Sequence, residues 1–258
     1  MPRLVWADEC DGAAGSPPRA DLWGPRRTDR WQPANELQRY TDDPANACYD
    51  GHGHLVLRAD HTAGGYTSAR LSARHSTNPK LFRYGLFAAR IKVPTGAGAW
   101  PAWWLLGEDD RYGWPGCGEI DIMEAPCAPA TAGQIHQGTH SPAAAGGAGA
   151  SQHSTGGDHE VSVGVPHSTG EWGGGFHVYA LDWRPGRLAF SIDGRQTGEV
   201  TREQVESRGG DWPFERRPQS PVVNVAVGGW AGRPDGWTEQ SMLVDWVRAY
   251  EGGSRPRT

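Results

Sequence analysis

Residues 118–124 read Gly118-Glu119-Ile120-Asp121-Ile122-Met123-Glu124, and they hold three carboxylates interleaved with large apolar side chains. A strand has a side-chain period of two. Glu119 and Asp121 therefore share one face, and Ile120 and Ile122 turn to the core. Strict alternation would send Glu124 to the core face. One extra residue, a β-bulge around Met123, returns it to the side of Glu119 and Asp121. The stretch is predicted as a bulged strand with three acidic groups on one face. Like charges held that close cannot all ionise, so at least one pKa must rise.

A strand selected for stability alone would avoid this arrangement. Retaining cleavage of a glycosidic bond uses it. That chemistry needs one ionised nucleophile and one protonated acid, about 5–5.5 Å apart. Glu119 and Glu124 suit the pair, and Asp121 between them can hydrogen-bond the nucleophile. Two other readings stay open. Clustered carboxylates also bind hard cations, although such sites usually draw their ligands from a curved loop. A solvated acidic strand face is the second, and the apolar neighbours speak against it.

The flanking sequence supports an all-β chain. Short apolar or alternating runs occur at 54–57, 66–74, 85–93, 100–106, 177–183, 188–192, 222–227 and 242–250, bounded by Gly, Pro, Asn and Asp. Asp50-Gly51 and Asp193-Gly194 read as hairpin turns. Only 202–207 suggests a helical turn. Many short strands with turn signals between them indicate a sandwich or barrel. In 222–227, Val223, Val225 and Val227 share the core face, and Asn224 stands with Ala226 on the other. Either Asn224 lines a groove or it bonds a neighbouring loop. Arg70 falls on the face of Ser68 and Ser72, opposite Ala69 and Leu71. The segment 142–158, rich in Ala, Gly, Ser and His, reads as a long loop. The polar tail 251–258 reads as frayed. No internal repeat or long linker is visible, so 1–258 reads as a single catalytic domain.

The composition narrows the function. The 258 residues include 37 Gly and 20 Pro, which favour turns over long helices, and 13 Trp against 5 Phe. About half of the Trp are expected in the core. The rest would offer flat faces on which sugars stack. The net charge of −5, with scattered Arg and no basic stripe, argues against a nucleic-acid partner. No run approaches the ~20 apolar residues of a membrane span. The N-terminal MPRLVWADEC lacks the apolar run of a signal peptide. Either the protein stays in the cytosol or a leader has been removed. A polymeric substrate favours the second, hence a secreted protein, expected to be a monomer. Cys10, Cys48, Cys117 and Cys127 match no zinc spacing. Cys117 and Cys127 lie about 30 Å apart if the strand stays extended. Cys10 with Cys48 is the better pair for a disulfide, and four free thiols are the alternative.

These motifs together resemble glycoside hydrolase family 16, in particular its laminarinase-like endo-β-1,3-glucanases. Trp114-Pro115-Gly116-Cys117-Gly118 leading into Glu119–Glu124 is similar to the family's active-site strand in its bulged form. Residues 85–92, 100–107, Asn35-Glu36-Leu37-Gln38 with Tyr40-Thr41, 66–70, Phe176-His177 with Asp182-Trp183, 224–229 and 244–248 follow in the expected order. The resemblance runs from Trp6 to Tyr250. It implies a β-jelly-roll sandwich of two curved antiparallel sheets with a concave substrate cleft. It implies Glu119 as nucleophile, Asp121 as its assistant and Glu124 as acid/base, with no cofactor for catalysis. Trp100, Trp104 and Trp114 would wall the cleft, and Asn35 and Arg70 would bind sugar hydroxyls on the non-reducing side. His140 would lie beside the acid/base on an adjacent strand, and Trp230 would stack a further sugar. Asn224 joins this set as a groove residue. A structural calcium is implied on the convex side, through main-chain oxygens near Glu9 and Gly53 and the Asp245 side chain; a plain hydrogen-bonding role for Asp245 is the alternative. The chain departs from the family in the loop 142–158, in the segment 21–34 and at two further places. Ala125 stands where an aromatic residue often follows the acid/base, and the Gly138-Thr139 pair sits one residue late relative to His140. The implied substrate is β-1,3-glucan. Mixed-linkage β-1,3-1,4-glucan, agarose or a galactan, or a non-catalytic glucan-binding role, are the rivals.

Overall fold

The computed structural model describes residues 2–27, 35–128, 134–144, 158–162 and 174–252. The chain opens with β1 (Arg3–Asp8), β2 (Gly24–Pro25), β3 (Gln38–Tyr40), β4 (Ala47–Tyr49), β5 (Leu55–Thr62) and β6 (Gly65–Ser68). Then come β7 (Arg70–Ser72), β8 (Gly85–Lys92), β9 (Ala99–Leu106), the short helix α1 (Asp109–Tyr112), β10 (Glu119–Glu124), β11 (His136–Pro142) and β12 (Asp158–Ser162). The last third holds β13 (His177–Arg184), β14 (Arg187–Ile192), β15 (Arg195–Thr201), α2 (Arg202–Ser207), β16 (Ser220–Val227) and β17 (Glu239–Glu251).

The strands form the expected two-sheet sandwich. One sheet runs β15-β14-β13-β8-β17-β5-β6-β3, with β1 on β17 and β4 on β5. The other runs β12-β11-β10-β9-β16-β7-β2. Among the described strands pairing is antiparallel with one exception, the parallel contact of β3 with β6. The inner faces supply the core. Val223, Val225 and Val227 pack with Ile120, Ile122, Trp103, Leu181, Trp183 and Phe190, all fully buried. Each such side chain contributes roughly 1.5–3 kcal/mol of apolar burial. Among the tryptophans, Trp6, Trp23, Trp183 and Trp212 are core, and Trp114 and Trp230 are exposed.

Local signals explain the connections. Asp193 (φ 48°) and Gly194 (φ 76°) form the two-residue turn of the β14–β15 hairpin. The Asp50 carboxylate accepts from the His52 and His54 amides in the β4–β5 turn. Helix α2 begins with a capping box between Thr201 and Gln204.

Several expectations need correction. The run 66–74 is not one strand. β6 and β7 belong to different sheets, and the chain crosses between them at Ala69, because alternation encodes face and not sheet. Glu251, expected in a frayed tail, ends β17 opposite Arg3, with which it forms a salt bridge; 253–258 lie outside the described residues. Most of the loop 142–158 also lies outside them. All four cysteines are free thiols. Cys10 sits in the core beside Ala47 and Tyr49, whereas Cys48 between those two points to the other face of β4.

The calcium expectation meets a different chemistry. Asp245 accepts from Arg90 Nη1 at 2.6 Å, and the Glu9 carboxylate accepts from Arg248 at 2.7 and 2.9 Å. Gly53 lies in an open turn at φ 90°. An ion there would have to share Asp245 with a guanidinium, whereas the expected main-chain oxygens near Glu9 and Gly53 are not engaged by these contacts, so only the side-chain donor departs from the expectation. No helix among the described residues is long and apolar enough to cross a membrane.

Candidate active site

The second sheet arranges the polar residues in rows across its strands. One row runs Ser220, Leu106, Glu119, His140. The next runs Ser72, Val222, Trp104, Asp121, Gly138. A third runs Arg70, Asn224, Ala102, Glu124, His136. From the second row to the third, β9 steps from Trp104 to Ala102 and β11 from Gly138 to His136. Over the same interval β10 goes from Asp121 to Glu124, one residue more. This is the bulge read from the sequence. Ile122 and Met123 both turn into the core, each fully buried, and Glu124 returns to the face of Glu119 and Asp121.

That face lines a cavity of about 810 Å³. The loop between β9 and β10 carries Trp114 back over Glu119, so that Trp114 Nε1 donates to Glu119 Oε2 at 3.0 Å. Gly118, at φ 78°, makes the turn into β10. A Cβ there would meet Pro213 Cγ at 2.9 Å and Phe214 Cε1 at 3.0 Å. At the other end of β10, Trp100 Nε1 donates to Glu124 Oε1 at 2.9 Å. Each glutamate is thus oriented by a different indole. His140 Nε2 stands 3.6 Å from Asp121 Oδ2. One ligand atom each from Glu119, Asp121 and His140 lies within 4.8 Å of the others.

Charge in the cleft is uneven. Arg70 is 7% exposed, and its guanidinium lies 4.6 Å from the Trp104 ring centroid. Its Nε has no acceptor among the described residues. Burial pushes its pKa down, against the pull of Tyr40, Glu119 and Asp109. Burial also raises the Glu36 carboxyl, while a hydrogen bond from Gln38 and the charge of Arg70 work against that. Asp109 behaves oppositely. Burial would raise it, but Arg26 at 2.7 Å and Arg74 at 2.9 Å hold it below the usual carboxylate range.

The structure gathers Glu119, Asp121, Glu124, Arg70, Trp100, Trp104, Trp114, His140, Asn224 and Trp230 around this cavity. Two placements differ from expectation. Asn35 is exposed with a left-handed backbone (φ 61°), and its neighbour Glu36 lines the cavity instead. His140 faces Glu119, and the ladder partner of Glu124 is His136, because the Gly138-Thr139 pair sits one residue late. Asn224 accepts from Trp104 Nε1 at 2.7 Å and donates to Tyr40 Oη at 3.2 Å. Its amide is engaged by protein and holds the Trp104 ring. Arg26, Glu36, Tyr40 and Asp109 were not singled out from sequence. Glu36 and Tyr40 lay inside a quoted motif, but nothing local marked them as cavity residues.

Indole faces suit the apolar faces of pyranose rings. Standing over carboxyls fixed by separate donors, they make this a glycoside hydrolase site. The sequence model of the glycosyl hydrolases family 16 matches residues 36–248, and the chain belongs to that family. A β-glucanase of Rhodothermus marinus is 32% identical over 96% of this chain and 84% of its own length. The laminarinase catalytic domain of Thermotoga maritima superposes with a TM-score of 0.79 at 30% identity, covering 98% of this chain and 99% of that one. An endo-β-1,3-glucanase of Pyrococcus furiosus gives 0.75 at 33% identity, covering 96% and 94%. The fold is the jelly-roll of these enzymes.

Proposed function

We propose that this chain is a single-domain, secreted endo-hydrolase of β-1,3-glucan, acting by double displacement. The observation that carries the reading is the bulge in β10. It sets Glu119 and Glu124 on one cavity wall, each held by its own indole N–H. Relatives and structural neighbours whose names specify 1,3-β-glucan support the choice of polymer.

In the first step Glu124 gives its proton to the departing glycosidic oxygen. The bond from that oxygen to the anomeric carbon breaks as a Glu119 oxygen bonds the same carbon. In the second, Glu124 takes a proton from water, the water oxygen bonds the anomeric carbon, and Glu119 leaves as carboxylate. The two inversions retain the β configuration. Asp121 and His140 steady the Glu119 end, Arg70 offers hydrogen bonds to sugar hydroxyls, and Trp104, Trp100 and Trp230 supply stacking faces. Two carboxyls and water close the cycle, so no cofactor is required.

The test is release of reducing ends from laminarin, barley β-glucan and agarose by the wild type, Glu119→Gln and Glu124→Gln. The expected result is cleavage of laminarin by the wild type alone, with both variants still binding laminari-oligosaccharides. Full activity in either variant would overturn the residue roles. Cleavage of agarose alone would overturn the substrate while keeping the mechanism. Two structural neighbours described as a non-specific endo-β-1,3(4)-glucanase make cleavage of barley β-glucan the outcome that would broaden the linkage.

A further inference from the structure

Gln137 lies on β11 between His136 and Gly138 and points away from the cleft, into the core, with 1% exposure. A glutamine there needs partners, because burying an unpaired amide costs free energy. It has two. Its Nε2 donates to the Ile122 carbonyl at 2.9 Å, and its Oε1 accepts from Thr197 Oγ1 at 2.5 Å. Both partners sit at irregularities. Ile122 lies within the bulge of β10, between the ladder positions Asp121 and Glu124. Thr197 belongs to the opposite sheet. There β15 steps from Gln196 to Gly198 while β14 steps only from Ser191 to Phe190, which leaves Thr197 as the unpaired residue of a second bulge.

A bulge leaves ladder groups without partners. Here one side chain reaches across the core and ties the two irregularities together. The carbonyl it holds is two residues before Glu124. We infer that Gln137, anchored by Thr197, is a positioning residue that fixes the β10 bulge and through it the placement of Glu124 opposite the cleaved bond. The inference rests on Glu124 being the acid/base. A chain of buried hydrogen bonds, once fully satisfied, specifies one geometry. Losing it frees the bulge to shift, and a displacement near 1 Å is enough to cost on the order of 100-fold in rate. Neither residue touches the cleft, so sugar binding itself should be spared.

The experiment compares Gln137→Met, Gln137→Glu, Thr197→Val and Glu124→Ala with the wild type, each checked for folding by near-UV circular dichroism and melting temperature. On laminarin, Gln137→Met should lose roughly 10- to 100-fold in kcat with KM within about twofold. Thr197→Val should show a smaller loss of the same kind. Gln137→Glu should recover much of the activity, because a buried carboxyl stays protonated and can donate to Ile122. The second arm uses a dinitrophenyl laminari-oligoside with azide, which needs neither a proton for the leaving group nor a base for the incoming nucleophile. Glu124→Ala should approach wild-type turnover there, and Gln137→Met, which keeps the Glu124 carboxylate in the path of azide, should release its first equivalent of dinitrophenol at the wild-type rate.

A folded Gln137→Met with unchanged kcat on laminarin, or one whose first dinitrophenol release is slowed as much as its laminarin turnover, overturns the positioning role and leaves the acid/base assignment standing. Absence of rescue in Glu124→Ala overturns that assignment and this inference with it. If Gln137→Met does not fold, Thr197→Val and Gln137→Glu decide. Wild-type kcat in the first, or no activity in a folded second, refutes the role.

Discussion

Arg70 makes an unusual demand on the fold, and replacing it by methionine tests the reading of the cleft. The guanidinium is buried over the Trp104 ring and, among the described residues, has no acceptor for Nε and no carboxylate in salt-bridge contact. Desolvating an unpaired cation costs several kcal/mol. The cation–π contact returns about 1–2 kcal/mol. Screened attraction to Glu119 and Asp109 returns a similar amount. The balance leaves about 1–2 kcal/mol against the folded, sugar-free protein. Methionine keeps the packing on the indole and removes the charge. Arg70→Met should therefore raise the melting temperature by roughly 2–8 °C for a chain of this size. Activity should move the other way. Hydrogen bonds from a charged donor to sugar hydroxyls are worth about 1.5–3 kcal/mol each. Losing one lowers kcat/KM on laminarin by roughly 10- to 150-fold. Differential scanning calorimetry without sugar, paired with reducing-end kinetics, reads both quantities. A lower melting temperature in Arg70→Met would refute the idea that the residue is held at a cost for the substrate. So would unchanged kcat/KM.

Glu36→Gln addresses the other strained charge. Burial raises the Glu36 pKa above its ordinary 4.5, so the folded state holds the proton more tightly than the unfolded one. Stability from this group is present below that ordinary value and is lost as pH rises through the folded pKa; the variant should melt higher than wild type at neutral pH, with the gap closing in acid. Asp8 is 1% exposed and accepts from Trp23 Nε1 at 2.7 Å, Tyr49 Oη at 3.0 Å and the Cys10 amide at 3.0 Å. Asp8→Ala leaves three buried donors unmet and should cost about 3–5 kcal/mol in urea unfolding, whereas a loss under 1 kcal/mol would show that they find other acceptors. Burial pushes the Cys117 and Cys127 thiols up to about 12 and Cys10 higher still. A thiol reagent at neutral pH should therefore reach part-exposed Cys48 first in the native protein and all four in denaturant; two or fewer in denaturant would mean a disulfide.

The bulge was legible because it is a matter of parity. Three acidic residues over two isoleucines and a methionine leave one residue too many for a plain strand, and a count along the chain reveals it. The core valines of β16 were legible for the same reason. What joins Arg70 to Asn224, or Glu124 to His136, is register between strands far apart in sequence, and local pattern carries no register. That is why 66–74 read as one strand; His140 was set beside Glu124 by the family resemblance, which is one residue out of step at Gly138-Thr139. Asn224 shows a related limit. Its parity placed it correctly on the cleft face, yet whether an amide meets a sugar or an indole depends on Trp104 from another strand. Gln137 did leave a signal: a polar residue at core parity on a strand whose neighbours face the site.

The most direct measurement is to trap the covalent intermediate. A 2-deoxy-2-fluoro laminari-oligoside with a good leaving group slows the second step more than the first. Peptide mass spectrometry after inactivation should find one fluoroglycosyl label, on Glu119. A label on Glu124 or Asp121, or turnover of the probe with inverted configuration and no label, would contradict the assignment of Glu119 as nucleophile.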